Sequence, residues 1–227
     1  MKVKEKLFLE VDEFRKNGPI NIVTLGDSIT QGSFEIGVNN YDECYSNRLR
    51  RKLNAVSTKV PVNIINAGMG GTTAPFGLER FDRDVTPYKP DLVIVSFGLN
   101  DVNYDLELYL SSLKGIFEKC LANNFYTIFM TECMMNTYVA DDVHEKFVKY
   151  AHQTAEFQNS GKVDLFFSEA SKLAKSYNIE VADCYLKWKE LYNSGVDTTQ
   201  LLSNKINHPT FEMHELFADE LFKIIMK

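Results

Sequence analysis

Ile20-Asn21-Ile22-Val23-Thr24-Leu25-Gly26-Asp27-Ser28-Ile29-Thr30 decides how this chain is read. The apolar, β-branched half predicts a strand buried on both faces. A glycine and then a serine follow at once. That order presents a hydroxyl at the carboxyl end of a buried strand, where open α/β sheets place their sites. A lone serine in such a turn more often caps a helix. The functional reading therefore depends on what the rest of the chain brings to the same edge.

Four further apolar runs, at 62–66, 91–97, 125–131 and 179–182, join 20–25 as predicted strands. Helical periods lie between them. Tyr45, Leu49, Leu53 and Val56 share one face, as do Leu106, Leu110, Leu113 and Phe117, and again Phe217, Leu221, Ile224 and Ile225. Strands alternating with helices predict an α/β fold: a three-layer α/β/α arrangement around a doubly wound, five-stranded parallel sheet. The long connection 132–178 predicts two helices. Its start, Glu132 to Tyr138, reads either as a cleft lining or as a packed connector. No linker or repeat interrupts the chain, so one domain over 1–227 is expected.

The 227 residues carry 25 Lys and Arg against 31 Asp and Glu, a formal net charge of −6. No basic stripe is present, which argues against nucleic acid and anionic membranes as partners. Cys44, Cys120, Cys133 and Cys184 are widely spaced and read as reduced, mostly buried thiols. Charged residues break up the N-terminal stretch, so no signal peptide is read there and a cytoplasmic location is expected. No apolar run approaches the ~18 residues of a membrane helix.

Three predicted strands end in distinctive residues: Gly26-Asp27-Ser28, then Asn66-Ala67-Gly68-Met69-Gly70-Gly71-Thr72-Thr73, then Gly98-Leu99-Asn100-Asp101. In a doubly wound sheet all three converge on one edge. Asn207-His208-Pro209 precedes the last helical stretch. Acyl transfer needs such parts: a hydroxyl nucleophile, a histidine base, and N–H donors for the oxyanion.

These blocks resemble those of the SGNH hydrolases, the superfamily of GDSL-type esterases and lipases. Gly26-Asp27-Ser28-Ile29-Thr30 is similar to the nucleophile block. Asn66, Gly68, Gly71 and Thr73 fit the second block, Gly98-Leu99-Asn100-Asp101 the third, and His208 with Pro209 the last. The resemblance implies a flavodoxin-like fold and a serine esterase. In it Ser28 is the nucleophile and His208 the base. Ser28, Gly71 and Asn100 form the oxyanion hole, and no metal or cofactor takes part. It implies a small-molecule or carbohydrate ester substrate with a short acyl group, such as a sugar O-acetyl ester. An impaired enzyme that only binds ligand, and an acyltransferase using the same residues, are the alternatives. Oligomeric state is left open.

One position departs from the family. Its members carry an aspartate three, sometimes four, residues before the histidine, where this chain has Lys205 and Asn204. Three readings follow: a Ser–His dyad with a carbonyl or Asn204 fixing the tautomer, a displaced acid such as Asp183 or Asp197, or impairment. A base with the ordinary histidine pKa predicts activity falling as pH drops through ~6.5.

The remaining candidates read as structural. Asp27 is expected to bond nearby backbone amides, His144 and His152 to lie on the surface, and His214 to serve structure. A dinucleotide loop starting at Gly68 would need glycine where Thr73 stands. Asp141-Asp142-Val143-His144 lacks a second cluster to complete a metal site.

Overall fold

The computed structural model describes residues 2–35 and 37–227. Two short helices, α1 (Val3–Leu7) and α2 (Val11–Asn17), lead into the central strand β1 (Ile20–Gly26). A one-turn helix α3 (Ser28–Gln31) and a hairpin of β2 (Ser33–Glu35) and β3 (Val38–Asn39) come next. The chain continues through α4 (Tyr45–Val56), β4 (Val62–Gly68), α5 (Ala74–Glu79), α6 (Phe81–Asp84) and β5 (Leu92–Ser96). After α7 (Leu106–Ala122) and β6 (Tyr126–Met130) follow α8 (Val148–Asn159) and α9 (Lys162–Ser176). Strand β7 (Glu180–Ala182) and helices α10 (Cys184–Asn193) and α11 (His214–Ile225) complete it.

The five long-range strands are parallel and lie in the order β4-β1-β5-β6-β7. This is the doubly wound order, and it reverses direction between β1 and β5. The expected strands are all present. Every residue of β5 is buried, as the unbroken run Leu92-Val93-Ile94-Val95 requires of a central strand. Helices α4 and α11 pack on each other in one layer, and α5, α7 and α9 in the other. On α4 the predicted face buries Tyr45, Leu49 and Leu53. The connection after β6 holds the two predicted helices, α8 and α9.

Register brings the functional edge together. Gly26 pairs with Gly68 on one side and with Ser96 on the other, so β1, β4 and β5 end level. A Cβ on Gly68 would sit 2.2 Å from the Gln31 backbone nitrogen. Glycine is what lets β4 run this close to α3, and the ladder therefore extends past the predicted end of the strand.

A buried guanidinium ties these ends down. Arg80, 3% exposed, donates to the carbonyls of Ala67 at 2.7 Å and Gly26 at 2.8 Å. Asp84, one helical turn on, pairs with it at 2.8 Å. The opposite end of the sheet is held by Lys6, whose ion pair with Asp91 (2.8 Å) anchors α1. The four cysteines are free and buried. Among the described residues, no helix is long and apolar enough to cross a membrane.

Arg80→Met strips the donor from two strand carbonyls and leaves Asp84 paired only with the exposed Arg83. We expect stability to fall by about 2–4 kcal/mol. A denaturation midpoint that moves down at unchanged slope checks this; an unmoved midpoint would refute the clamp.

Candidate active site

Ser28 is the first residue of α3, where its N–H has no intrahelical acceptor. Asp27 caps the turn, its Oδ1 accepting the Ile29 N–H at 3.0 Å. This is the structural role expected of it. Ser28 Oγ lies 3.0 Å from His208 Nε2, across 180 residues of chain.

The second and third blocks arrive from β4 and β5. Gly70 N–H is taken by the Gln31 side chain at 2.6 Å. Gly71 N–H has no acceptor among the described residues, and a φ of +72° makes glycine the suited residue there. Asn100 Nδ2 donates to Asp27 Oδ2 at 3.0 Å and to the Thr72 carbonyl at 2.9 Å. Two acceptors therefore fix the plane of this amide. Asp101 Oδ1 accepts the Ala74 N–H at 2.9 Å and ties the third block to the start of α5.

His208 sits in a loop built around Asn204. Asn204 Oδ1 accepts the N–H groups of Ile206 (3.0 Å), Asn207 (2.9 Å) and His208 (2.9 Å). Its Nδ2 donates to Asn207 Oδ1 at 3.0 Å. Asn204 thus shapes the backbone that carries the histidine and makes no bond to the ring. The loop docks on the segment after β6: Asn136 N–H donates to the Ile206 carbonyl at 2.8 Å, and Cys133 Sγ to the Asn207 carbonyl at 3.4 Å. Residues 132–136 are all buried. Over 132–136 the packed connector is the observed reading, while Tyr138 at the end of the segment is exposed.

No carboxylate reaches the ring among the described residues. Asp183 caps α10 and accepts the Thr131 hydroxyl at 3.0 Å. Asp197 caps a short helical turn and accepts the Tyr138 hydroxyl at 2.8 Å. Both displaced-acid candidates are engaged elsewhere. For Nε2 to accept the Ser28 proton, Nδ1 must carry the ring proton. Nδ1 has no well-aligned hydrogen bond. The Phe34 carbonyl supports the protonated ring weakly, and that carbonyl already accepts the Ser203 hydroxyl.

Burial dominates the ring's titration and lowers its pKa to about 4. His208 is therefore neutral through the physiological range. With that depressed value the acid limb of the activity is expected below the ordinary histidine range. His214 is fully buried in α11, accepts the Tyr45 N–H at 3.1 Å, and packs its ring 4.7 Å from Phe34. His144 and His152 are exposed.

A third carboxyl beneath the site was not anticipated. Glu132, fully buried at the end of β6, accepts the Leu99 N–H at 3.0 Å and lies within hydrogen-bonding reach of Asp27. Burial raises Asp27 to about 6 and Asp101 to about 7, and holds Glu132 well above the carboxylate range. An acid directly after the run Phe125 to Thr131 was the available signal. Two cavities are lined by residues of the site blocks, though by neither Ser28 nor His208. One, of about 490 Å³, is lined by Gln31, Tyr41, Asn66 and Gly68. The other, of about 500 Å³, is lined by Glu35, His144, Asn204 and Lys205.

Asn204→Ala releases three backbone N–H groups and lets the imidazole drift from Ser28. A misplacement of this kind costs about 10–100-fold in kcat/KM. Ester hydrolysis at matched folding checks it; a variant as fast as the parent would show that the loop needs no such anchor.

Over 83 residues, 36% of this chain, it is 34% identical to an uncharacterized lipoprotein, YqeF, of Bacillus subtilis (strain 168), and the match spans 32% of that protein. A two-domain esterase active on acetylated mannans superposes with a TM-score of 0.69 at 21% identity. It is covered over 52% of its length, and this chain over 96%. The chain thus spans about a third and about half of these two proteins. Axe2, an acetylxylan esterase from Geobacillus stearothermophilus, superposes with a TM-score of 0.70 at 20% identity, covering 91% of this chain and 94% of that one. At such identities the structural likenesses establish the fold. Residues 24–216 match the sequence model of the GDSL-like lipase/acylhydrolase family, and the chain belongs to that family.

Proposed function

We propose that this protein is a serine esterase working through an acyl-enzyme on Ser28, with His208 as its base. The observation that carries the reading is the 3.0 Å contact between Ser28 Oγ and His208 Nε2. It is made at the edge where the Ser28 and Gly71 N–H groups and the Asn100 amide also converge.

Ser28 Oγ attacks the ester carbonyl carbon, and its proton passes to Nε2. The negative charge that develops on the carbonyl oxygen is met by Ser28 N–H, Gly71 N–H and Asn100 Nδ2. Each such donor is typically worth ~3–4 kcal/mol in the transition state. An oxyanion is a stronger acceptor than the Thr72 carbonyl, so it competes for the Asn100 proton that carbonyl now holds. The imidazolium returns its proton to the departing alkoxide as the ester C–O bond breaks. Water, deprotonated by the same nitrogen, then attacks the acyl carbon and releases the acid and Ser28. No carboxylate orients the ring: Asn204 fixes the loop that carries it, and the Phe34 carbonyl gives the protonated ring weak support.

A short acyl group on a hydrophilic alcohol, such as a sugar O-acetyl ester, is the substrate class we favour. The cavities formed by residues around Gln31 and Asn204 carry polar groups such as Asn66, Asn47, Ser203 and Lys205, which can hydrogen-bond a hydroxyl-rich group. Two of the structural relatives are described as esterases of acetylated mannans and xylan.

Hydrolysis of p-nitrophenyl acetate by the purified protein, compared with Ser28→Ala, tests the proposal. We expect a loss on the order of 10⁴-fold or more and stoichiometric fluorophosphonate labelling confined to Ser28. Equal rates, or no labelling of the folded parent, would contradict it and favour a ligand-binding role.

A further inference from the structure

Two buried carboxyl groups face each other behind the nucleophile, and their hydrogen bonds do not balance if both are ionised. Asp27 uses both oxygens: Oδ1 accepts Ile29 N–H and Oδ2 accepts Asn100 Nδ2, each at 3.0 Å. Glu132 uses only one: Oε2 accepts Leu99 N–H at 3.0 Å, while Oε1 meets no donor. An ionised, unpaired carboxylate oxygen at 0% exposure is costly. A single proton on Oε1 removes both the vacant acceptor and the repulsion between Glu132 and the neighbouring Asp27.

The proton belongs on Glu132 for reasons of geometry. Asp27 accepts two N–H groups and feels the Arg80 guanidinium, whereas Glu132 accepts one N–H and has no cation beside it. A proton on Asp27 Oδ2 would instead oppose the Asn100 N–H and turn that amide over. Its oxygen would then point where a donor is needed.

We infer that Glu132 is a positioning residue for the oxyanion hole. It is a carboxyl that keeps its proton, donates it to Asp27, accepts the Leu99 N–H, and so locks the nucleophile turn to the Asn100 amide. The inference rests on the esterase reading of Ser28 and Asn100. The other titratable groups facing the pair are Asp101, Arg80, Tyr45 from α4, Tyr109 from α7, Tyr150 from α8 and Cys133. Burial raises the three phenols and the thiol, so they stay neutral. Arg80 is the one cation among the six.

Glu132→Gln and Glu132→Leu separate the possibilities. Glutamine reproduces the protonated acid: its oxygen accepts from Leu99 and its NH₂ donates to Asp27. We expect Glu132→Gln to hydrolyse p-nitrophenyl acetate within about threefold of the parent. We expect Glu132→Leu to lose about 100-fold in kcat at little-changed KM, the size of a lost oxyanion donor. Infrared spectra at pH 8 should show a protonated-carboxyl stretch in the parent that is missing from Glu132→Gln. A Glu132→Gln variant as slow as Glu132→Leu, or a parent lacking that stretch, would overturn the inference. If the parent shows no Ser28-dependent hydrolysis, the esterase reading fails, and the infrared band still decides where the proton sits.

Discussion

The hydrogen bond between Ser28 Oγ and His208 Nε2 is the contact on which the rest of the site depends. It joins a turn at the end of the first strand to a loop close to the last helix. Nothing local holds these two groups together. Their meeting requires the strand order β4-β1-β5-β6-β7, which puts the nucleophile turn at the point where the sheet's winding reverses. It also requires the histidine loop to be rigid, and Asn204 makes it so by gathering three N–H groups onto one oxygen. The buried segment after β6 then seats that loop through Asn136 and Cys133.

The electrostatics of the site are unusual in where the acids lie. Among the described residues none stands behind the histidine, while three stand behind the serine and the asparagine. Asp27, Asp101 and Glu132 each accept a backbone N–H from a different block, so they hold the nucleophile turn, the start of α5 and the Gly98–Asn100 loop in one frame. Burial raises all three, which limits the charge they place near a developing oxyanion. The imidazole, lacking a carboxylate partner, is a weaker base, and it remains neutral and ready to accept a proton far into the acid range.

The sheet was legible in the sequence because parallel strands buried on both faces leave unbroken β-branched runs, such as Leu92 to Val95. The site blocks were legible because glycine, serine and asparagine stand directly at strand ends. Ser28, Gly71, Asn100 and His208 therefore arrive at one edge. The support for His208 was not legible. A backbone carbonyl such as that of Phe34 leaves no trace in residue identity. Asn204 looked like a replaced aspartate, although its work is local to its own loop. Glu132 read as the polar start of a connector, because its partner Asp27 lies far away in sequence and meets it only once β1 and β6 flank β5.

The central claim is that His208 serves Ser28 without a carboxylate behind it. NMR titration of the His208 ring in the folded protein tests this most directly. A neutral ring protonated on Nδ1 at pH 7 is expected, gaining its second proton only near pH 4, because burial disfavours the charged ring. Because the folded-state value is depressed, the charged ring is disfavoured and the base is lost only as pH falls toward that midpoint. A midpoint at or above 6.5 would contradict the account and place an acid against Nδ1.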